Sequence, residues 1–403
     1  MFSLIQFPSY DKPWYRTWGR NYREFALELE VDSNSNVYFT GFSMMSEEGD
    51  WDIFVAKLNK FGKLEWEVMW SGRSYENGYD IALDSLNNIY VVGYTRSYSG
   101  EHYDLCLLKF NNSGDLIWNK TWGGKDYDCG CSIILDSFNN IYIAGITSSY
   151  GVGNLDICIL KFNDSGSLLW NNTWGTSTYE RSEGIILDSF GNVYITGYTH
   201  SPGVANFDVF LLKFNRLGIL LWNATWGSDV PEYGHAISID ASDNVYISGT
   251  KDDRMLLLKY NPYGLILNNL TWGESNKFDS GYGIGLDSSD NIYITGNDLY
   301  KLYLFKFNNF SILEWEISWR MFSINRAFGL SLDSNNNIYI IGDADYTDIL
   351  IIKNPQLWEK FKHLEMKNLL LIILISGSFV MVGISFLLLK GIIRKIDIDK
   401  LSY

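Results

Sequence analysis

Four cysteines in 403 residues are too few to staple a chain of this length. A disulfide-knit mini-domain is therefore excluded, and cysteine usage leaves the compartment open. Basic residues are also scarce: 32 Lys and Arg stand against 47 Asp and Glu, for a formal net charge of −15. With no local basic patch, such a chain repels a phosphate backbone, so no nucleic-acid partner is expected. Histidine is rarer still. His102, His200, His235 and His363 are scattered without a repeated partner, which argues against a nucleophile-and-base enzyme. What the chain has in quantity is apolar and aromatic, 46% and 16% of residues, enough for a sizeable core and inconsistent with disorder.

That apolar content is periodic. The segment Leu83-Asp-Ser-Leu-Asn-Asn-Ile-Tyr-Val-Val-Gly93 recurs with its Asp at Asp32, Asp84, Asp136, Asp188, Asp240, Asp287 and Asp333. Its Tyr recurs at Tyr38, Tyr90, Tyr142, Tyr194, Tyr246, Tyr293 and Tyr339. A Lys closes a second apolar run in each copy, from Lys57 to Lys353, and a Trp ends a third, from Trp18 to Trp319. A period of this size marks a repeat architecture. Within a copy, Gly130 to Leu135 and Ile141 to Ile143 flank Asp-Ser-Phe-Asn-Asn, and Asp156 to Phe162 and Leu168 to Trp174 flank Asn-Asp-Ser-Gly. Both links are turn compositions, so each copy reads as two hairpins, or four antiparallel strands. Such a sheet cannot cover its own two faces, and seven of them predict a seven-bladed β-propeller.

The chain opens with a lone fourth-strand motif, Trp14-Tyr-Arg-Thr-Trp18-Gly19, while the last copy stops after its third strand at Lys353. The N-terminal strand is therefore expected to complete the last blade and remove the open edge. The motif LDSxNNIYIxG, the Lys-ended strand and GxLxWxxTWG together resemble the SBBP family of β-propeller repeats over about residues 14–353. The resemblance implies a propeller, often on secreted or surface proteins, without one activity. Blade 5 departs from it, with Asn268 where the others place the first Trp of a W-x-x-x-W pair.

Apart from one residue between Trp272 and Asp287, length varies in one place only, between the repeat Gly and Lys. The loops Ser43 to Trp51, Thr95 to Tyr103, Thr147 to Leu155 and Thr199 to Phe207 are longer than their counterparts in blades 5 to 7, and form a first candidate binding surface for a protein or glycan. A second candidate is the acidic column Glu24, Glu76, Asp128, Glu180, Glu232 and Asp279, which precedes the innermost strands. It is expected either to ring one mouth of the channel and attract a cation or basic ligand, or to bind backbone amides at its own strand entries. His235 is placed on an inner strand near Glu183 and Tyr282. No cofactor is called for. Calcium is the one metal the turns invite, at Asp32, Asn34 and Asn36, yet apolar residues take the middle position in other copies and an Asx turn is the better account. Cys129 and Cys131 have no second pair for a metal, and Cys106 and Cys158 read as core. Enzyme alternatives are weak. Arg23, Arg181 and Arg326 are too dispersed for a sialidase-like cluster, and the quinoprotein-like tryptophan motif is one residue short.

The run from Leu369 to Leu389 carries no charge over 21 residues, about 30 Å of helix, which reads as a transmembrane span. Residues 354–368, with Leu357, Trp358, Phe361 and Leu364 on one face, read as an amphipathic juxtamembrane helix. The expected organisation is thus a lead at 1–13, a propeller at 14–353, that helix, the span at 369–389 and a charged tail at 390–403. Lysines and arginines flank the span almost equally and do not set its direction. The N-terminus lacks a secretory signal, which favours a tail-anchored protein with a cytoplasmic disc. Seven sequons, at Asn111, Asn119, Asn163, Asn171, Asn223, Asn269 and Asn309, favour an outward disc, as does the family resemblance. The sequence therefore reads as a membrane-anchored, non-enzymatic binding propeller at the cell surface. The runner-up is a lyase, glycosidase or quinoprotein-like enzyme centred on the channel mouth, and the third reading is a cytoplasm-facing scaffold.

Overall fold

In each repeat the second strand is apolar on both sides. Ile141–Thr147 is buried along its whole length, which only a sheet covered on both faces permits. The computed structural model describes residues 13–19, 23–44, 50–97, 102–200, 206–273, 280–298, 301–319, 325–344 and 348–353. Among these, every strand belongs to one of seven four-stranded antiparallel sheets. Blade 1 comprises Glu24–Val31, Val37–Met44, Trp51–Leu58 and Leu64–Trp70 from the axis outward, and blades 2 to 6 repeat the order. Blade 7 takes three strands from residues 325–353 and its outermost from Trp14–Trp18. There Trp14 pairs with Lys353 and Trp18 with Ile349. The protein is a seven-bladed β-propeller closed by its N-terminal strand, as the repeat count and the orphan strand require. Trp14–Lys353 form one compact unit.

Neighbouring sheets are joined by apolar layers. Tyr38, Ile53 and Val55 of blade 1 pack with Ile89, Val91 and Leu108 of blade 2. The layer that seals the ring joins Phe39 and Phe54 of blade 1 to Tyr339, Ile341 and Ile351 of blade 7, with Trp14 against it. Cys106 and Cys158 are fully buried in such layers. A second bond between blades is polar. In each sheet the repeat Tyr and Lys face each other across the strands, as in Tyr38 and Lys57, with Trp66 next in line. The Lys ammonium lies 4.5 to 5.8 Å from the centre of its Tyr ring in all seven blades, a cation–π contact. The Trp66 indole then donates to the Asn112 carbonyl in the next blade, 3.1 Å away.

The turns between first and second strands follow one pattern. Asp84 Oδ1 accepts from the amides of Leu86 and Asn88, and Asn88 Nδ2 donates to Asp84 Oδ2. The residue before the last, Asn87, takes a left-handed φ of 60°, which Asn tolerates. Third and fourth strands are joined by a second turn whose Gly, such as Gly114 at φ 87°, has the same requirement. Both turns lie on one face of the disc, because Ile89 at the start of the second strand pairs with Phe110 at the end of the third. The long loops and blade-to-blade links lie on the other. Among the described residues no helix is long and apolar enough to cross a membrane. Residues 354–403, with the expected juxtamembrane helix and span, fall outside the described residues, as does the lead at 1–12.

Candidate functional site

Every innermost strand carries a β-bulge at the same place. The pairing register with the second strand slips between Ala26 and Glu28, Gly78 and Asp80, Gly130 and Ser132, and at the corresponding points of the other four blades. One residue per blade, joined in blade 6 by the following Gly283, is thereby left out of the ladder, and a bulge re-aims the side chain it releases. Those residues are Leu27, Tyr79, Cys131, Glu183, His235, Tyr282 and Phe328. All seven line the central channel, a cavity of about 980 Å³. The column before it is small in every blade, from Ala26 to Ala327, whereas this one takes a different type in almost every blade, and the one after it, from Glu28 and Asp80 to Gly329, varies as well.

The chemistry is unevenly spread around the ring. In blade 4, Arg181 Nε donates to Glu183 Oε1 at 2.7 Å. Burial raises the Glu183 carboxyl above its ordinary range, and the Arg181 guanidinium opposes that rise. In blade 5, burial, helped by the Arg181 charge, lowers His235 to about 4, so the imidazole is neutral at pH 7. Its Nε2 lies 3.1 Å from Thr250 Oγ1, and its ring centre is 5.1 Å from that of Tyr282. In blade 3, a hydrogen bond with the Cys129 thiol holds Cys131 below its ordinary value, against burial and with the aid of Arg181. Blades 1 and 2 are acidic. Burial and then Asp80 raise Glu30 to about 7, and burial raises Asp80 to about 6 against hydrogen bonds from Ser132 and the amides of Ile133 and Ile81. Glu28 is raised by burial and by Asp80.

The acidic column lies elsewhere. Glu24, Glu76, Asp128, Glu180 and Glu232 are fully buried, and none of them lines the channel. Glu76 accepts from the Gly72 amide at 2.9 Å and the Thr95 hydroxyl at 3.0 Å. Glu180 accepts from the Thr176 amide and the Thr199 hydroxyl, both at 3.0 Å. Glu232 accepts from Lys251 at 2.9 Å. Of the two placements expected for the column, the structure has the one that binds each strand entry to its own blade. The reason is position: these side chains alternate toward the neighbouring blade and are roofed by the link that precedes them. Asp279 lies outside the described residues.

Asp32 Oδ1 accepts from the amides of Asn34 and Asn36, and Asp32 Oδ2 accepts from Asn36 Nδ2, all at 2.9 Å. The candidate calcium turn is thus an Asx turn whose oxygens already hold donors, and no trio of His, Cys, Asp or Glu among the described residues could hold a metal. The loop 148–155 is the one long loop described throughout. It folds down rather than standing proud: Asp156 accepts from the amides of Val152 and Gly153, and the Tyr150 hydroxyl donates to the Gly123 carbonyl at 2.9 Å. The other three long loops lie partly outside the described residues. His235 sits beside Glu183 and Tyr282 in the channel, as its strand position implies. Asn111, Asn163 and Asn309 fall in or beside the turns between third and fourth strands, while Asn119, Asn171, Asn223 and Asn269 are exposed on the outermost strands.

Comparison with known proteins supports the fold. The model of the SBBP β-propeller repeat matches residues 71–101 and 176–203, the inner and second strands of blades 2 and 4 and their flanks. An uncharacterized WD repeat-containing protein of Acanthamoeba polyphaga mimivirus is 21% identical over 55% of this chain. The match covers 24% of that relative's length. Among solved structures, a catalytically inactive histidine variant of virginiamycin B lyase from Staphylococcus aureus, with quinupristin, is similar at a TM-score of 0.57 and 11% identity, over 85% of this chain and 99% of that one. Sqt1 of Chaetomium thermophilum is similar at 0.52 and 10% identity, over 83% and 98%. One of these is a lyase and another is named for its WD repeats. At such distance the likeness is one of fold.

Proposed function

We propose that this protein is a non-enzymatic binding propeller, anchored in a membrane by Leu369 to Leu389, that takes a segment of a protein or glycan partner at the cell surface into its channel from the long-loop face. The observation that carries the reading is the bulge column. Where fold alone dictates a residue, the seven blades agree. They differ at the bulge column and at the position after it, Glu28, Asp80, Ser132, Gly184, Ala236 and Gly283, both of which line the channel, which is what selection for one asymmetric ligand leaves behind. The test is capture of surface partners by the full chain in detergent, in parallel with Glu183→Ala and Tyr282→Ala. Both substitutions are expected to lose the same partner while the chain stays folded, with Glu183→Ala melting lower because it leaves Arg181 unpaired. If both variants retain every partner, the channel is not the site.

A second reading rests on Arg181, Glu183 and the neutral His235 standing together, a set able to act as general base and charge stabiliser. Structural likeness to a lyase gives this reading a concrete assay. Incubation with quinupristin is expected to leave it intact. Turnover that disappears in His235→Ala would replace binding with catalysis.

A further inference from the structure

The turn face of the disc is apolar where the fold does not ask for it. Each of blades 1 to 6 presents a large apolar side chain at the tip of a turn: Phe61, Leu86, Phe138, Phe190, Tyr263 and Phe310, between 48 and 82% exposed. In each turn the tip amide donates to the Asp or Asn side chain two residues before it, so the tip side chain contributes nothing to the turn's geometry. Blade 4 adds a second apolar tip, Leu217, 68% exposed, and the other tips are polar: Asn34, Ser242, Ser289 and Asn335 in the first kind of turn, Ser113 and Ser165 in the second. On the opposite face, large exposed apolar side chains among the described residues are confined to Tyr150 and Val152 of one loop. An exposed apolar surface confined to one side marks a contact.

Blade 7 supplies the direction. Its third strand, Asp348–Lys353, runs from the loop face to the turn face, since Lys353 pairs with Tyr339 at the start of the second strand. The chain therefore leaves the propeller on the apolar face. Only residues 354–368 separate that exit from the uncharged run at Leu369, about 22 Å if helical and about 50 Å at full stretch. Resting on the proposed anchor, we infer that the turn face lies against the surface of the same bilayer, with the seven apolar tips in its interfacial layer, where aromatic side chains are favoured. The occupant is lipid rather than a second copy, because the neighbouring apolar run is itself long enough to span a bilayer. Lys60 and Arg216 alternate with Asp115 and Asp290 at these turns, so the contact is apolar and does not depend on anionic lipid. The channel then opens away from the membrane on the long-loop side.

The experiment uses the full chain in phosphatidylcholine vesicles carrying brominated acyl chains, with a bimane on Phe138→Cys or Phe310→Cys on the turn face, or on Tyr150→Cys on the loop face, in a Cys131→Ser background. All three positions are exposed, so melting should be unchanged. Bromine is expected to quench the two turn-face probes several-fold more than the loop-face probe. Flotation separates the possible failures. A chain that does not float with the vesicles overturns both the anchor and this inference. A chain that floats with all three probes equally bright keeps the anchor and overturns the apposition. Disulfide crosslinking between copies through Phe138→Cys, with no quenching, would assign the face to self-association and also overturn it. Glycan mapping adds a second readout: Asn309, beside Phe310, should remain bare. A glycan there on the vesicle-bound chain would lift the face from the lipid and sink the inference.

Discussion

Trp14 and Tyr339, from opposite ends of the repeat array, meet edge to face with ring centres 6.3 Å apart. The pair reproduces at the closure the contact that Trp66 makes with Tyr38 inside blade 1, also at 6.3 Å. The Trp14 indole donates to the Lys60 carbonyl at 3.2 Å, and Arg16 Nε donates to the Gly62 carbonyl at 2.9 Å. The short N-terminal strand thus completes blade 7 and also binds the outer turn of blade 1.

Trp14→Ala should therefore behave as a core truncation. It removes a half-buried indole and a hydrogen bond to the next blade, a loss of about 3 kcal/mol. Deletion of residues 1–20 should lower the melting temperature further, because it reopens the sheet edge. Calorimetry on both variants is the check. An unchanged single transition in the deletion would mean that the ring does not depend on its closure.

Blade 5 lacks this contact. Asn268 faces Lys259 where the other blades place a Trp, so the Tyr246 ring has its cation without an indole beside it. Asn268→Trp is expected to stabilise the fold by about 1 kcal/mol, the scale of an added aromatic pair. Denaturant unfolding at equal m-value would show it. A loss of stability would mean that the outer rim of blade 5 has no room for the ring.

Glu30 and His235 should give opposite pH signatures. Glu30 is raised from 4.5 to about 7, so its native state holds the proton more tightly. The associated stability is present below 4.5 and lost as pH rises through 7. Glu30→Gln should accordingly match the parent near pH 4.5 and exceed it at about pH 8 by about 2 kcal/mol. His235 is lowered from 6.5 to about 4, so stability is intact above 6.5 and lost as pH falls toward 4. His235→Asn should gain on the parent near pH 5 and not at pH 8. Thermal melts across this range test both signs, and a flat difference for either variant contradicts the assigned burial.

A further prediction concerns the link glycine. A Cβ at Gly175 would stand 1.8 Å from Asp156 Oδ1 and 2.7 Å from Glu180 Oε2. Gly175→Ala must push apart two carboxylates at the junction of blades 3 and 4, and should cost about 2 kcal/mol. Adding Asp156→Ala should recover part of the loss, and a double variant no more stable than the single one would place the strain elsewhere.

The ring was legible because burial on both faces forces every blade to solve the same packing problem with the same residues. Tyr142, Lys161 and Trp170 can be read off the chain as one row, and their counterparts gave both the blade count and the closing strand. The channel was harder to read, for a physical reason. A strict two-residue alternation from the strand entry sends Tyr79 and Cys131 toward the wrong side, and only the bulge turns them inward. For Glu76 and Asp128 the strand entry left two placements open, a channel mouth or the amides of their own strand entry, and the amides of Gly72 and Gly124 hold them in the second. His235 and Glu183 were found because their chemistry stood out, whereas Leu27 and Phe328 carried no such mark. The signal that could have found them all is the position directly after the small residue of each inner strand, from Ala26 to Ala327.

A side chain released by a bulge is bound to no ladder partner, and this separates two properties that most folds keep entangled. Exchanging Leu27 or Phe328 alters what the axis presents while leaving the adjoining ladder hydrogen bonds and the clasp at Trp14 as they were. Seven such places around one axis amount to a dial whose settings can drift one at a time, so descendants of this architecture could acquire new tastes without first having to learn to fold again.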